Sequence, residues 1–264
     1  MDSRLAGKVA LVFGAGSSGE GLSNGKAAAL AFARAGAKVA AIDMNSDEAA
    51  RTAKEISNEG GAALALEADV TVEEQVATVI AEAATRLGAP TVLHNNVGVA
   101  HLGSVVELDL RAWNAAFAVN VTGVFLTCKH TLPHMLGAGG GSIINVSSLA
   151  SIREIGYIYP SYSAAKAAVN QLTVSLALEY AHHGIRANAI LPGLIDTPMV
   201  RKQVIAGAPD VHAALNERDT ASPTGRMGSP WDVAAAAVFL ASNEAAYVNG
   251  VCLPVDGGLA ARCA

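Results

Sequence analysis

The stretch Val9-Ala-Leu-Val-Phe13-Gly14-Ala-Gly16-Ser17-Ser18-Gly19-Glu-Gly21-Leu-Ser-Asn24-Gly25 decides the fold. Its first five residues are apolar without interruption, the pattern of a short strand buried on both faces. From Gly25 to Ala35 the sequence is alanine-rich with helical period, so the glycines join a strand to a helix. Glycine lets the backbone turn sharply and approach a ligand closely. The helix start adds unpaired N–H groups and the positive end of the macrodipole. The turn therefore reads as a cradle for a pyrophosphate, with Gly14, Ser17, Ser18, Asn24 and Gly25 as the groups expected to face it.

The same alternation continues along the chain. Strands are expected at 39–42, 62–66, 91–93, 142–146, 185–191 and 251–255, and helices at 47–59, 73–87, 110–136, 162–182 and 230–240. Short apolar strands separated by helices build a parallel sheet covered on both faces, so the expected fold is a doubly wound α/β sheet of Rossmann type. No linker or repeat interrupts residues 1–264, which are read as a single domain. The segment 198–228 has no clear period, and a connection of that size suits a lid over a substrate.

Composition narrows the partners. Of 264 residues, 52% are hydrophobic and 16% charged, which supports a large packed core rather than disorder. A net charge of -5 without a Lys/Arg cluster argues against nucleic acid. Polar residues break every apolar run short of the roughly 20 residues a membrane span needs. Three scattered cysteines, Cys128, Cys252 and Cys263, fit neither a disulfide framework nor a zinc site, and a cytoplasmic protein is expected.

Asp43 ends the second strand, 18 residues past Gly25, near the spacing of a ribose-binding acid. A carboxylate accepts hydrogen bonds from a ribose diol but repels a 2′-phosphate. No Arg occupies the next two positions, Met44 and Asn45, so NAD is expected rather than NADP.

Tyr162-x-x-x-Lys166 opens a helix, where an i, i+4 spacing puts phenol and ammonium on one face. A nearby cation favours the ionised phenol, making Tyr162 a candidate general base. Ser147 and Ser148 end the fifth strand, at the sheet edge where ligands bind, and one hydroxyl there could hold a reacting oxygen. Asn120, inside the helix at 110–136, is a candidate for holding a proton-relay water at a local break. His94 and His101 are read as packing or hydrogen-bonded residues.

Together with Asp69-Val70, Asn95-Asn96-Val97-Gly98, Pro192-Gly193-x-x-x-Thr197-Pro198-Met199 and Val255-Asp256-Gly257-Gly258, these motifs resemble the short-chain dehydrogenase/reductase family over almost the whole chain. The resemblance implies a seven-stranded parallel sheet and a metal-free hydride-transfer enzyme. In it Tyr162 would be the acid/base and Lys166 would bind the nicotinamide ribose. Ser148 would orient the reacting oxygen, and Asn120 would complete a proton relay. It assigns Asp69 and Val70 to the adenine, and Asn96, Val97 and Gly98 to the adenosine side. Pro192, Gly193, Ile195 and Thr197 would position the carboxamide. It also implies a homotetramer or homodimer.

Two departures stand out: Phe13 replaces the usual Thr, with about five extra residues in the glycine turn, and Val97 replaces the usual Ala. His101, Leu102, residues 149–159 and 199–220 are expected to build a mostly apolar substrate pocket for a secondary alcohol or its ketone. Two alternatives are a 3-oxoacyl thioester reductase using NADPH and a nucleotide-binding scaffold without catalysis. Asp43 and the acidic charge weigh against the first, and the complete Asn120, Ser148, Tyr162, Lys166 set against the second.

Overall fold

Alternate residues of the first strand, β1 (Val9–Phe13), face opposite layers. Ala10 and Val12 pack under α1 (Asn24–Arg34), whereas Leu11 and Phe13 point to the other side. The computed structural model describes residues 3–17, 19, 21–205 and 210–262. Its other strands are β2 (Lys38–Asp43), β3 (Ala63–Glu67), β4 (Val92–Asn95), β5 (Gly141–Val146), β6 (Ile185–Pro192) and β7 (Cys252–Val255). All pair in parallel, in the order β3-β2-β1-β4-β5-β6-β7. The expected doubly wound, seven-stranded sheet is what forms.

Helices α2 (Ser46–Asn58) and α8 (Pro230–Ala241) join α1 on one face. The opposite face carries α3 (Glu73–Leu87), α5 (Gly123–Gly137) and α6 (Pro160–Tyr180). Alanines such as Ala28 and Ala237 let α1 and α8 lie close together over the sheet. Between β1 and β4 the strand order reverses, which opens a crevice beyond the carboxyl ends of the strands. The glycine turn, Asn96, Ser148 and Pro192 all lie at those ends. None of the described helices is long and apolar enough to cross a membrane.

Three differences from the sequence reading have physical causes. The helix expected at 110–136 is α4 (Leu110–Phe117), a π-helical turn at Ala118–Thr122, and α5. The break comes at Asn120, whose Nδ2 donates to Ala116 O at 2.8 Å and to Val99 O at 2.9 Å. Strand β4 runs on through His94 and Asn95, which the apolar pattern left out. His94 is fully buried edge-on to Phe32, and Asn95 Nδ2 donates to Asn145 Oδ1 at 2.9 Å. Within 198–228 a π-helical turn (Val200–Ile205) and α7 (Val211–Ala221) form. The side chain of Asp210 caps α7 by accepting from Ala213 N at 3.0 Å.

Candidate active site

Helix α1 begins where Ser23 adopts an extended conformation and accepts from Lys26 N at 3.0 Å. Ser23 Oγ also donates to Gly16 O at 2.6 Å, tying the glycine turn to the helix start. Space decides the glycines. Gly14 takes φ +77°, and a Cβ on Gly25 would lie 1.9 Å from Gly14 O. At Gly16 a Cβ would come within 2.8 Å of Asp43 Oδ2, which instead accepts Gly16 N at 2.9 Å. Asp43 Oδ1 accepts Asn45 N at 3.0 Å.

The extra residues of the turn fold back on themselves, since Ser17 Oγ donates to Gly21 O at 3.0 Å and to Gly19 O at 3.2 Å. Ser18 lies outside the described residues. Glu48, which the sequence reading did not single out, accepts Ser17 N at 3.3 Å and pairs with Arg51. A second carboxylate thus stands beside Asp43, and the first Arg after it is already neutralised. Its signal was there: Glu48 lies one helical turn past Asn45, the residue that caps α2.

One cleft collects most of the other candidates: Asn24, Asn96, Gly98, Ser148, Tyr162, Lys166, Pro192, Gly193, Ile195 and Thr197 all line it. Tyr162 is buried, with the Ser148 hydroxyl beside its phenol. Lys166 Nζ is 5.7 Å from the Tyr162 ring centre and donates to Val146 O at 2.9 Å. Asn120 is buried just behind: a Cβ on Gly98 would touch both Asn120 Oδ1, at 2.9 Å, and Lys166 Nζ, at 3.2 Å. Gly98 is therefore the gap through which amide and ammonium face each other.

The electrostatics correct one expectation. The ammonium was expected to draw the phenol's pKa down, but burial pushes Tyr162 up, with the Ser148 hydroxyl pulling the other way. Burial also lowers Lys166 to about 8. Both groups are desolvated, and the ammonium spends a hydrogen bond on the Val146 carbonyl rather than on the phenol.

Asp69, Val70 and Val97 do not line this cleft. Asp69 Oδ1 accepts Thr71 N at 2.8 Å, and Val70 packs against the start of α5, where a Cβ on Gly123 would be 2.8 Å from it. Of the expected substrate residues, Ile155, Tyr157, Tyr159, Met199 and Val200 line the cleft, whereas His101 and Leu102 are not among its walls. Arg218 lines it as well. It falls within the expected 199–220 segment but is not singled out there, and it is the buried residue of α7.

A family pattern described as enoyl-(acyl carrier protein) reductase matches residues 21–260. A 2,5-dichloro-2,5-cyclohexadiene-1,4-diol dehydrogenase of Sphingobium indicum is 41% identical over 98% of each chain. The chain belongs to the short-chain dehydrogenase/reductase family. Another relative of this dehydrogenase, the cis-4-hydroxycyclohexanecarboxylate dehydrogenase of Sinomonas cyclohexanicum, is 42% identical over 99% of this chain and 100% of its own. A solved short-chain dehydrogenase/reductase of Burkholderia xenovorans superposes with TM-score 0.96 at 41% identity, covering 99% and 100% of the two chains. The gluconate 5-dehydrogenase of Burkholderia cenocepacia, solved with NADP and tartrate, gives 0.89 at 33% identity over 99% of each.

This short-chain dehydrogenase is thus an oxidoreductase acting on CH–OH groups, on a fold that binds NAD(P). Its own residues fit a dinucleotide. Gly14, Gly16 and Gly25 of the cradle have no room for side chains, and Asn24 Oδ1 and Asn120 Oδ1 are buried polar atoms without a protein partner.

Proposed function

We propose that the chain is an NAD-dependent dehydrogenase that converts a secondary alcohol to its ketone, and the reverse. The observation that carries this reading is the meeting of Ser148, Tyr162 and Lys166 in one cleft, with Asn120 Oδ1 facing Lys166 across Gly98. A bound nicotinamide dinucleotide would take up the carbinol hydrogen with its electron pair. Lys166, Pro192, Gly193, Ile195 and Thr197 would hold its nicotinamide half, Gly14, Ser17, Ser18, Asn24 and Gly25 its pyrophosphate, and Asp43, Asp69, Val70, Asn96, Val97 and Gly98 its adenosine half.

Tyr162 Oη accepts the hydroxyl proton in the oxidative direction, while Ser148 Oγ donates to the substrate oxygen and fixes it. Lys166 keeps a positive charge beside the phenol, favouring its ionised form during transfer. The proton leaves toward a water held by Asn120 Oδ1, an acceptor with no other partner. Preference for NAD is supported by Asp43, with Glu48 beside it and Arg51 paired to Glu48. The names of the relatives point to ring alcohols as the first substrates to try.

The segment 198–228 serves as the lid: Met199, Val200 and Arg218 line the cleft, and a Cβ on Gly19 would lie 3.0 Å from Lys202 Cε. A homo-oligomer, tetramer or dimer, is supported by exposed Leu110, Phe125 and Leu178 on α4, α5 and α6. Unpaired Cys128 and Cys252 accord with the cytoplasm. A panel of cyclic and linear secondary alcohols, each with NAD+ and NADP+ and followed by nucleotide absorbance, tests the assignment. Reduction of NAD+ with at least one alcohol is expected. Failure across the panel, or a preference for NADP+, overturns it.

A further inference from the structure

The cleft is lined by two cations, Lys166 and Arg218, and by no carboxylate. Lys166 belongs to the proton-transfer cluster, but Arg218 does not. Carried on α7, Arg218 is only 6% exposed and forms no ion pair with a described residue. Its partners are neutral. One terminal nitrogen donates to Tyr157 Oη at 2.5 Å, Nε faces Met227 Sδ at 3.4 Å, and the guanidinium carbon lies 5.4 Å from the Tyr157 ring centre.

A guanidinium carries five N–H donors, and a thioether is a weak acceptor. A buried Arg is rarely left without an acid. The neighbouring acids are engaged elsewhere: Asp219 Oδ1 accepts Met227 N at 2.7 Å, and Glu154 Oε1 accepts Gly156 N at 2.6 Å. Neither lines the cleft.

We propose that Arg218 is the anchor for a carboxylate on the substrate, so that the alcohol taken by this site is a hydroxy acid. The proposal rests on the reading of the cleft as a secondary-alcohol site. The planar fork of a guanidinium matches a carboxylate with two parallel hydrogen bonds. Three aromatic rings set the spacing. Tyr157 stacks on Tyr159 at 5.9 Å, and Tyr159 meets Tyr162 edge-on at 5.3 Å, so an aromatic wall separates the guanidinium from the catalytic phenol. Ile155 and Met199 complete apolar walls around it. The carboxylate therefore stands several atoms away from the carbinol carbon, across an apolar spacer, rather than beside it as in a 2-hydroxy acid.

Cyclohexanecarboxylate and cyclohexanecarboxamide, which lack a hydroxyl and cannot turn over, test this by calorimetric titration into NADH-saturated enzyme. In the wild type the acid should bind on the order of 10–100-fold more tightly than the amide, the range for one charge-assisted hydrogen-bonded pair. Arg218→Gln should bring the two affinities together by weakening the acid alone, and Arg218→Lys should retain part of the preference. Equal affinities in the wild type, no binding of the acid, or an Arg218→Gln variant that weakens both ligands by the same factor would overturn the proposal. If Arg218→Gln does not fold, the wild-type comparison and Arg218→Lys decide. Turnover of neutral cyclohexanol with NAD+ is read separately, so failure of the dehydrogenase reading is distinguishable from failure of the anchor.

Discussion

Replacing Gly25 with alanine puts one methyl group where the structure has no room for it. The new Cβ would lie 1.9 Å from Gly14 O and 2.6 Å from Asn96 Nδ2, so backbone must move by more than about 1 Å to restore an ordinary contact. Overpacking costs roughly 1–3 kcal/mol when side chains can yield. Here the obstacle is a carbonyl of the turn itself, so the upper end applies, offset by up to about 1 kcal/mol from the better helix propensity of alanine. A net loss of about 2 kcal/mol corresponds to a fall in Tm of roughly 4–8 °C for a chain of this size. Moving the start of α1 should also weaken NADH binding about tenfold, because the helix end supplies the cradle's N–H groups. Thermal denaturation and a fluorescence titration with NADH measure both. Gly137→Ala is the control: it ends α5, meets nothing within 4 Å, and should raise stability by about 0.4–1 kcal/mol. A Gly25→Ala variant with an unchanged Tm and unchanged NADH affinity would refute the steric reasoning.

Asp43→Asn removes the charge that repels a 2′-phosphate while keeping an acceptor for Gly16 N, so the ratio of kcat/KM with NAD+ to that with NADP+ should fall about tenfold. Asn120→Ala deletes both hydrogen bonds that hold the π-helical turn, and a drop of about 1–3 kcal/mol in urea unfolding with a kcat reduced on the order of tenfold is expected. His94 is lowered by burial to about 4, against 6.5 for a free imidazole. The unfolded chain therefore binds the proton more tightly. His94 contributes stability that is complete above about pH 6.5 and lost as pH falls toward 4, on the order of 3 kcal/mol in all. His94→Leu should flatten the stability curve across that window, and an unchanged slope in pH-dependent denaturation would place the acid sensitivity elsewhere.

The sheet and the site were legible in the sequence to different depths. Strand and helix periods were plain because alternate residues of β1 serve two cores and the helices are rich in alanine. The polar part of β4 was not, because His94 and Asn95 break the apolar run and are buried through a ring contact and a side-chain network that involves distant Thr127 and Asn145. Asn120 could be suspected of breaking its helix, but Val99, which takes its amide proton, is 21 residues away. Tyr162, Lys166 and Ser148 were readable because their spacing and strand-end position are local. Their ionisation was not, since burial by the whole fold outweighs the neighbour that spacing reveals. The segment of Arg218 was expected at the pocket, but its burial was not legible for the same reason: the surfaces that cover it come from residues 157 and 227.

In the proposed mechanism the Tyr162 phenol moves the substrate's proton and contributes little to nucleotide affinity. Measuring kcat and the NADH dissociation constant side by side for Tyr162→Phe tests it most directly. A kcat lower by roughly 10²–10⁴-fold is expected, with the dissociation constant within about twofold of wild type. Turnover retained within tenfold of wild type, in a variant that binds NADH normally, would contradict it.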